Sequence, residues 1–246
     1  MRNIVLYFFA TISLLGYGYA EDAQTVPVKN PTLNNVLEYA RQHDDFRLQF
    51  YKQHEQEFLK LVNEGQNPEV LFISCSDSRI ISDLIVGTKP GTAFVIRNAG
   101  NFVPTYDPND IEGTGATLQY GVEVLKIKHI IVCGHSRCGA IKGLFEPVDA
   151  EKLGLLKGWL RWGDQAKRMT LLSNPKATPQ EQYGLAEHLS VIYQLEHLMT
   201  YPFIRERVKK DEIVLHGWYY DIADGSIEYY DPEKFAFLPL NNSNVK

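Results

Sequence analysis

Two short segments hold the residues best able to do chemistry: Ser74-Cys75-Ser76-Asp77-Ser78-Arg79 and Cys133-Gly134-His135-Ser136-Arg137-Cys138-Gly139. The second carries His-x-x-Cys, a spacing at which a turn entering a helix can aim both side chains at one point. Cys75 supplies a third ligand if its segment lies beside the other. Two thiolates and one imidazole suit tetrahedral zinc, and three protein ligands leave the fourth position open, the mark of a catalytic rather than a structural site. His-x-x-Cys by itself is a weak signal, and small cysteines at strand ends are commonly plain core. Cys133 is read that way, because it closes an apolar run two residues before His135. A disulfide between Cys133 and Cys138 is a competing use that would withdraw Cys138 from a metal; a redox Cys-x-x-Cys is absent. Asp77 and Arg79 raise zinc above these alternatives, since they add a charged pair where apolar strands would otherwise leave the site dry.

Both segments directly follow apolar runs of strand formers, residues 70–73 and 130–132, and residues 94–96 are a third such run. Unbroken apolar runs suit parallel strands buried on both faces. Residues 115–125 read as a helix in the place of a crossover, which completes a βαβ order. Ligands of open α/β sheets bind beyond the carboxyl ends of the strands, where both segments sit. The expected fold class is therefore α/β, a central mainly parallel β-sheet flanked by helices. Downstream, residues 153–172 and 180–200 read as helices separated by a proline-containing turn, and Pro202 opens another turn. Residues 213–215 and 217–222 read as strand, and Asp224-Gly225 signals a hairpin before a strand at 227–230.

Arg2, the apolar run 4–15 and small residues at 18 and 20 read as a secretory signal cut after Ala20, with an apolar run too short to span a bilayer. Residues 21–31 form an extended leader, and 32–246 a single domain with an arm at 32–65 and a core at about 69–232. In the arm, Thr32 can cap a helix, and Leu33, Val36, Leu37, Ala40, Phe46, Phe50, Phe58, Leu59 and Val62 give amphipathic helices. Their apolar face needs the body of the domain or a partner subunit to cover it. Across 246 residues the net charge is −5 with 44% hydrophobic residues, so the chain is an ordinary globular one with no basic excess for nucleic acid. No later segment reads as a membrane span.

These residues resemble the β-class carbonic anhydrases. The family pattern Cys-x-Asp-x-Arg is matched by Cys75, Asp77 and Arg79, and His-x-x-Cys-Gly by His135, Cys138 and Gly139. The likeness continues through residues 90–101, Gly113-Thr114-Gly115-Ala116 and His216-Gly217-Trp218-Tyr219-Tyr220-Asp221, and runs from about 32 to 232. It implies one Zn2+ per subunit held by Cys75, His135 and Cys138, with Asp77 and Arg79 as a catalytic dyad. The implied reaction is reversible hydration of carbon dioxide to bicarbonate and a proton, by attack of zinc-bound hydroxide. Zinc lowers the pKa of its water from about 15.7 to about 7 in such sites. Asp77 would accept the proton and orient the nucleophile, and Arg79 would hold Asp77 ionised.

The resemblance further implies the plant-like, water-ligated variant, whose substrate pocket Gln66, Phe94 and Tyr120 would line. On their own, these three read as a loop residue and two core aromatics. The segment before the first strand lacks the tryptophan of the bicarbonate-regulated variant, so that regulatory site is expected to be missing. The resemblance also implies a homodimer or dimer-based oligomer with the arm laid over the partner. The signal implies a periplasmic or secreted enzyme with no stable membrane insertion. Competing functions are hydrolysis of carbon disulfide or carbonyl sulfide on the same scaffold, and a non-enzymatic zinc or thiol sensor with a closed fourth position.

Overall fold

The computed structural model describes residues 33–241. The signal segment 1–20, the leader 21–31 and the Thr32 cap lie outside the described residues. Two compact units divide at His54/Glu55. In the first, α1 (Leu33–Asp45) runs into a π-helical turn, Phe46–Tyr51. His43, Phe46, Phe50 and His54 stack along it with ring centroids 4.3–6.2 Å apart, as the three- and four-residue spacing of a helix dictates. Val36, Leu37, Tyr39, Phe46, Leu48 and Phe50 are exposed.

The second unit opens with α2 (Glu55–Glu64). Its sheet is built from β1 (Val70–Cys75), β2 (Ala93–Asn98), β3 (His129–His135), β4 (Val214–Tyr220), β5 (Ile227–Asp231) and β6 (Ala236–Pro239), in the order β2-β1-β3-β4-β5-β6. The first four strands in that order are parallel, and β5 and β6 return antiparallel. The helices are α3 (Ser82–Val86), α4 (Gly113–Gln119), α5 (Gly139–Phe145), α6 (Gly154–Leu160), α7 (Asp164–Ser173), α8 (Pro179–Leu198) and α9 (Pro202–Lys209). The α/β class with a mainly parallel sheet is as the apolar runs require. Pro202 opens α9 rather than only a turn, because proline at the first helical position loses no intrahelical bond.

Alternating strand residues fill two layers. Leu71, Ile73, Ile130 and Val132 pack with Leu118, Val122, Val191, Leu198 and Ile204, while Phe72, Ile131 and Cys133 face the other way. Each fully buried Leu or Ile of the larger layer contributes about 1.5–3 kcal/mol relative to exposure. A capping box starts α8: Thr178 N–H donates to Glu181, whose own N–H donates back to the Thr178 hydroxyl. Two glycines then let α8 lie close on the sheet. A Cβ on Gly134 would meet Val191 Cγ2 at 2.6 Å, and one on Gly217 would meet Val191 Cγ1 at 2.9 Å. No described helix is long and apolar enough to cross a membrane.

Candidate metal centre and active site

Register decides what comes together. β1 and β3 are adjacent and parallel, with Ser74 opposite Cys133, so the two chemistry-bearing segments leave the sheet at the same end. The Cys75 and Cys138 thiols and a His135 ring nitrogen lie within 4.8 Å of one another, and all three residues are buried. Phe102, Ile141, Leu144 and Leu160 pack around the two cysteines and keep the pocket apolar. The turn between His135 and Cys138 is tight enough to put Arg137 at φ 57°, a left-handed conformation costly for a residue with a Cβ. That turn swings Cys138 back toward His135.

The donor set fits a cation. His135 Nδ1 lies 2.9 Å from the Ser136 carbonyl, which can only accept, so Nδ1 carries the proton and Nε2 presents a lone pair. Nε2 is buried and has no protein partner, which is costly unless something else takes that lone pair. The hydrogen bond from Cys138 draws the Cys75 thiol down to about 4, and the same bond together with burial pushes Cys138 up. The two sulfurs lie close enough for one cation to take both as partners. Gly100 N–H also donates to Cys75 Sγ at 3.3 Å. Cys133 is separate: burial alone pushes it up to about 12, and all three cysteines are free thiols.

Beside this group, Arg79 grips Asp77 through both carboxylate oxygens. Arg79 Nε donates to Oδ1 at 2.9 Å and Nη2 to Oδ2 at 2.7 Å, while the Arg79 main-chain N–H adds a bond to Oδ1 at 3.0 Å. These bonds, the guanidinium's first among them, hold the Asp77 carboxyl well below the usual carboxylate range. Arg79 Nη2 also donates to the Arg137 carbonyl at 3.1 Å, which ties the dyad to the His-x-x-Cys turn.

The structure does not bring Gln66, Phe94 and Tyr120 to this end of the sheet within one chain. Phe94 pairs with Leu71 in the register that pairs Asn98 with Cys75, so it sits four residues, about 13 Å, down the strand. Its ring lies 5.7 Å from that of Tyr120, which is 45% exposed, and Gln66 is exposed in the loop that leads into β1. The three thus belong to the amino-terminal end of the parallel strands. Of the other histidines, His129 and His216 face each other at 3.2 Å, and His197 bonds to the Val103 carbonyl. His188 bonds to Gly184 and Glu228.

One site residue went unread in the sequence. Glu187, 4% exposed on α8, accepts the Cys138 N–H at 2.9 Å through one oxygen and the Tyr219 hydroxyl at 2.9 Å through the other. Burial raises its pKa. The signal for it was a carboxylate at helical spacing from Ala186, Val191 and Leu198 on the face of α8 that is buried, where a charge needs a buried partner.

A buried Cys-His-Cys group that could hold a metal, with an arginine-paired carboxylate beside it at the carboxyl ends of parallel strands, fits the class of α/β metalloenzymes. The carbonic anhydrase family profile matches residues 70–227. A carbonic anhydrase of Synechocystis sp. is 40% identical over 187 residues, covering 76% of this chain and 68% of that one. One of Pseudomonas aeruginosa is 37% identical over 184 residues, covering 75% and 83%. Among solved structures, the β-carbonic anhydrase CcaA superposes with a TM-score of 0.79 at 35% identity, over 85% of this chain and 93% of that one. A structure described as one of two tetrameric β-carbonic anhydrases from Sordaria macrospora gives 0.69 at 31%, over 79% and 96%. The chain belongs to the β-class carbonic anhydrases, enzymes that interconvert carbon dioxide and bicarbonate.

Proposed function

We propose that this enzyme hydrates carbon dioxide at a single zinc per subunit held by Cys75, His135 and Cys138, with Asp77 as proton acceptor and Arg79 as its partner. The observation that carries the reading is the buried His135 Nε2 with no protein partner, on a residue whose ring nitrogen and the Cys75 and Cys138 thiols all lie within 4.8 Å of one another. Zinc bound there supplies the Lewis acidity that makes water nucleophilic near neutral pH. Asp77, kept ionised by Arg79, accepts a proton from the attacking water and turns its lone pair toward the substrate carbon. The buried apolar surround suits a small nonpolar gas and limits competing water. Glu187 holds the main chain at Cys138, and the Arg79 bond to Arg137 O holds the other side of the same turn.

The plant-like pocket is part of the same proposal. Phe94 and Tyr120 lie against each other at the end of the parallel strands away from Cys75, and Gln66 is in the loop that leads into β1, so they would line this pocket by reaching into the site of a second copy. The exposed apolar residues of α1 favour an oligomer in which they are covered. Gln66 would donate its amide hydrogen to a substrate oxygen, and the two rings would supply an apolar wall. The signal-like residues 1–20 favour a periplasmic or secreted enzyme.

Stopped-flow hydration of carbon dioxide, with zinc measured on the same sample, tests the reading. Turnover proportional to zinc is expected. A fully metallated protein without turnover would overturn it and favour a sensor, and turnover confined to carbon disulfide or carbonyl sulfide would reassign the substrate.

A further inference from the structure

We propose that Arg97 is a positioning residue of this site, whose guanidinium fork grips the main chain on both sides of Ser76 and sets the distance between the Cys75 thiol and the Asp77 carboxylate. The inference rests on the proposed roles of Cys75 and Asp77. Arg97 lies opposite Ser74 in the β1–β2 pairing, and its side chain runs forward beyond the end of β1. There Nε donates to the Cys75 carbonyl at 3.1 Å and Nη2 to the Asp77 carbonyl at 2.9 Å. Between them, the Ser76 N–H donates to the Asn98 carbonyl at 2.8 Å. Three successive residues of the ligand segment are thus tied to two successive residues of β2.

The geometry matters because Cys75 is the last residue of β1, and beyond it the Ser76 bond is the last that the strand pairing supplies. Holding a carbonyl fixes the peptide plane that follows its residue. Two carbonyls held by one rigid, planar fork leave the Cys75–Asp77 segment little freedom to turn. The thiol then points at His135 and Cys138 while the carboxylate meets Arg79. Arg97 is exposed, so its charge is shared with water and its contribution is carried by shape. A lysine at this position keeps the charge but brings a single nitrogen to two carbonyls that lie apart, so it cannot reproduce the fork.

The test compares the parent with R97M and R97K, each loaded with zinc for kinetics and with Co2+ for visible absorption, which reads the ligand arrangement independently of turnover. In R97M, kcat is expected to fall about ten- to hundredfold, the loss typical of a reacting group displaced by about 1 Å, with KM within about twofold. The cobalt spectrum is expected to change in both variants, and R97K to recover kcat only in part. A parent-like spectrum and kcat in R97M would overturn the proposal. Full recovery of both in R97K would also overturn it, because charge alone would then suffice. If R97M does not fold, R97K decides: a parent-like cobalt spectrum and kcat in it refute the fork. A parent that binds cobalt but does not hydrate carbon dioxide would sink the functional reading, while the spectral comparison would still judge Arg97.

Discussion

Replacing Asp77 with asparagine separates the chemistry of this carboxylate from its place in the structure. Asp77 Oδ1 receives two N–H groups from Arg79, and Oδ2 receives the third. Asparagine keeps an oxygen at the first position, so the bonds at 3.0 and 2.9 Å persist and the side chain stays where it is. At the second position its amide presents hydrogens to the Arg79 Nη2 donor, and the 2.7 Å bond is lost. The Arg79 bond to the Arg137 carbonyl and the three proposed metal ligands are untouched. Asp77→Asn should therefore fold, bind one zinc and keep its melting temperature within a few degrees. What disappears is the proton acceptor, and removal of a positioned general base costs about 10²–10⁴ in rate, or about 3–5 kcal/mol of barrier. Stopped-flow hydration with a pH indicator, normalised to zinc measured by atomic absorption, reads this directly. A kcat within about threefold of the parent at full zinc content would refute the assigned role, because a misaligned but functional carboxylate is not what the substitution leaves behind.

Arg79→Met removes the group that holds Asp77 below the usual carboxylate range. The folded pKa of Asp77 then rises, a smaller fraction is ionised at each acidic pH, and the acid-side loss of activity should move to higher pH, as a kcat–pH profile would reveal. The stability that the depressed pKa confers above the unfolded value, lost in the parent only as pH falls through the folded one, should also shrink in acid melts. Cysteine alkylation at pH 8 should label Cys75 first, its thiol being drawn down to about 4, once a chelator has removed zinc. Cys133, with its thiol pushed up to about 12 and 2% exposed, should stay unlabelled in the native protein throughout; labelling of all three alike would count against the division of roles. Gly134→Ala places a methyl 2.6 Å from Val191 Cγ2 and pushes α8 off β3. It should cost about 1–3 kcal/mol in denaturant melts and weaken zinc retention through the Glu187 bond to Cys138; unchanged melts and zinc affinity would refute that coupling.

Much of this protein is determined locally. Unbroken apolar runs at 70–73, 94–96 and 130–132 can satisfy themselves only inside a sheet covered on both sides, so the α/β class and its parallel strands follow from the chain alone. The ligand residue types and the Asp77–Arg79 spacing are likewise local, because two residues on one turn meet whatever surrounds them. The distant partners are not local. Whether Cys75 meets His135 depends on β1 and β3 being neighbours in a register that puts Ser74 opposite Cys133, and no spacing along the chain encodes that. Glu187 and Arg97 reach the site from α8 and β2 through bonds to main-chain atoms, which carry no side-chain signature to search for. The same register sends Phe94 to the opposite end of the sheet from Cys75, although a motif reading groups them in one pocket. Sequence alone determined which residues can bind a metal and move a proton. Only the tertiary structure decided which of them share one point in space, because strand order and register are set by the burial of whole faces rather than by any residue of the site.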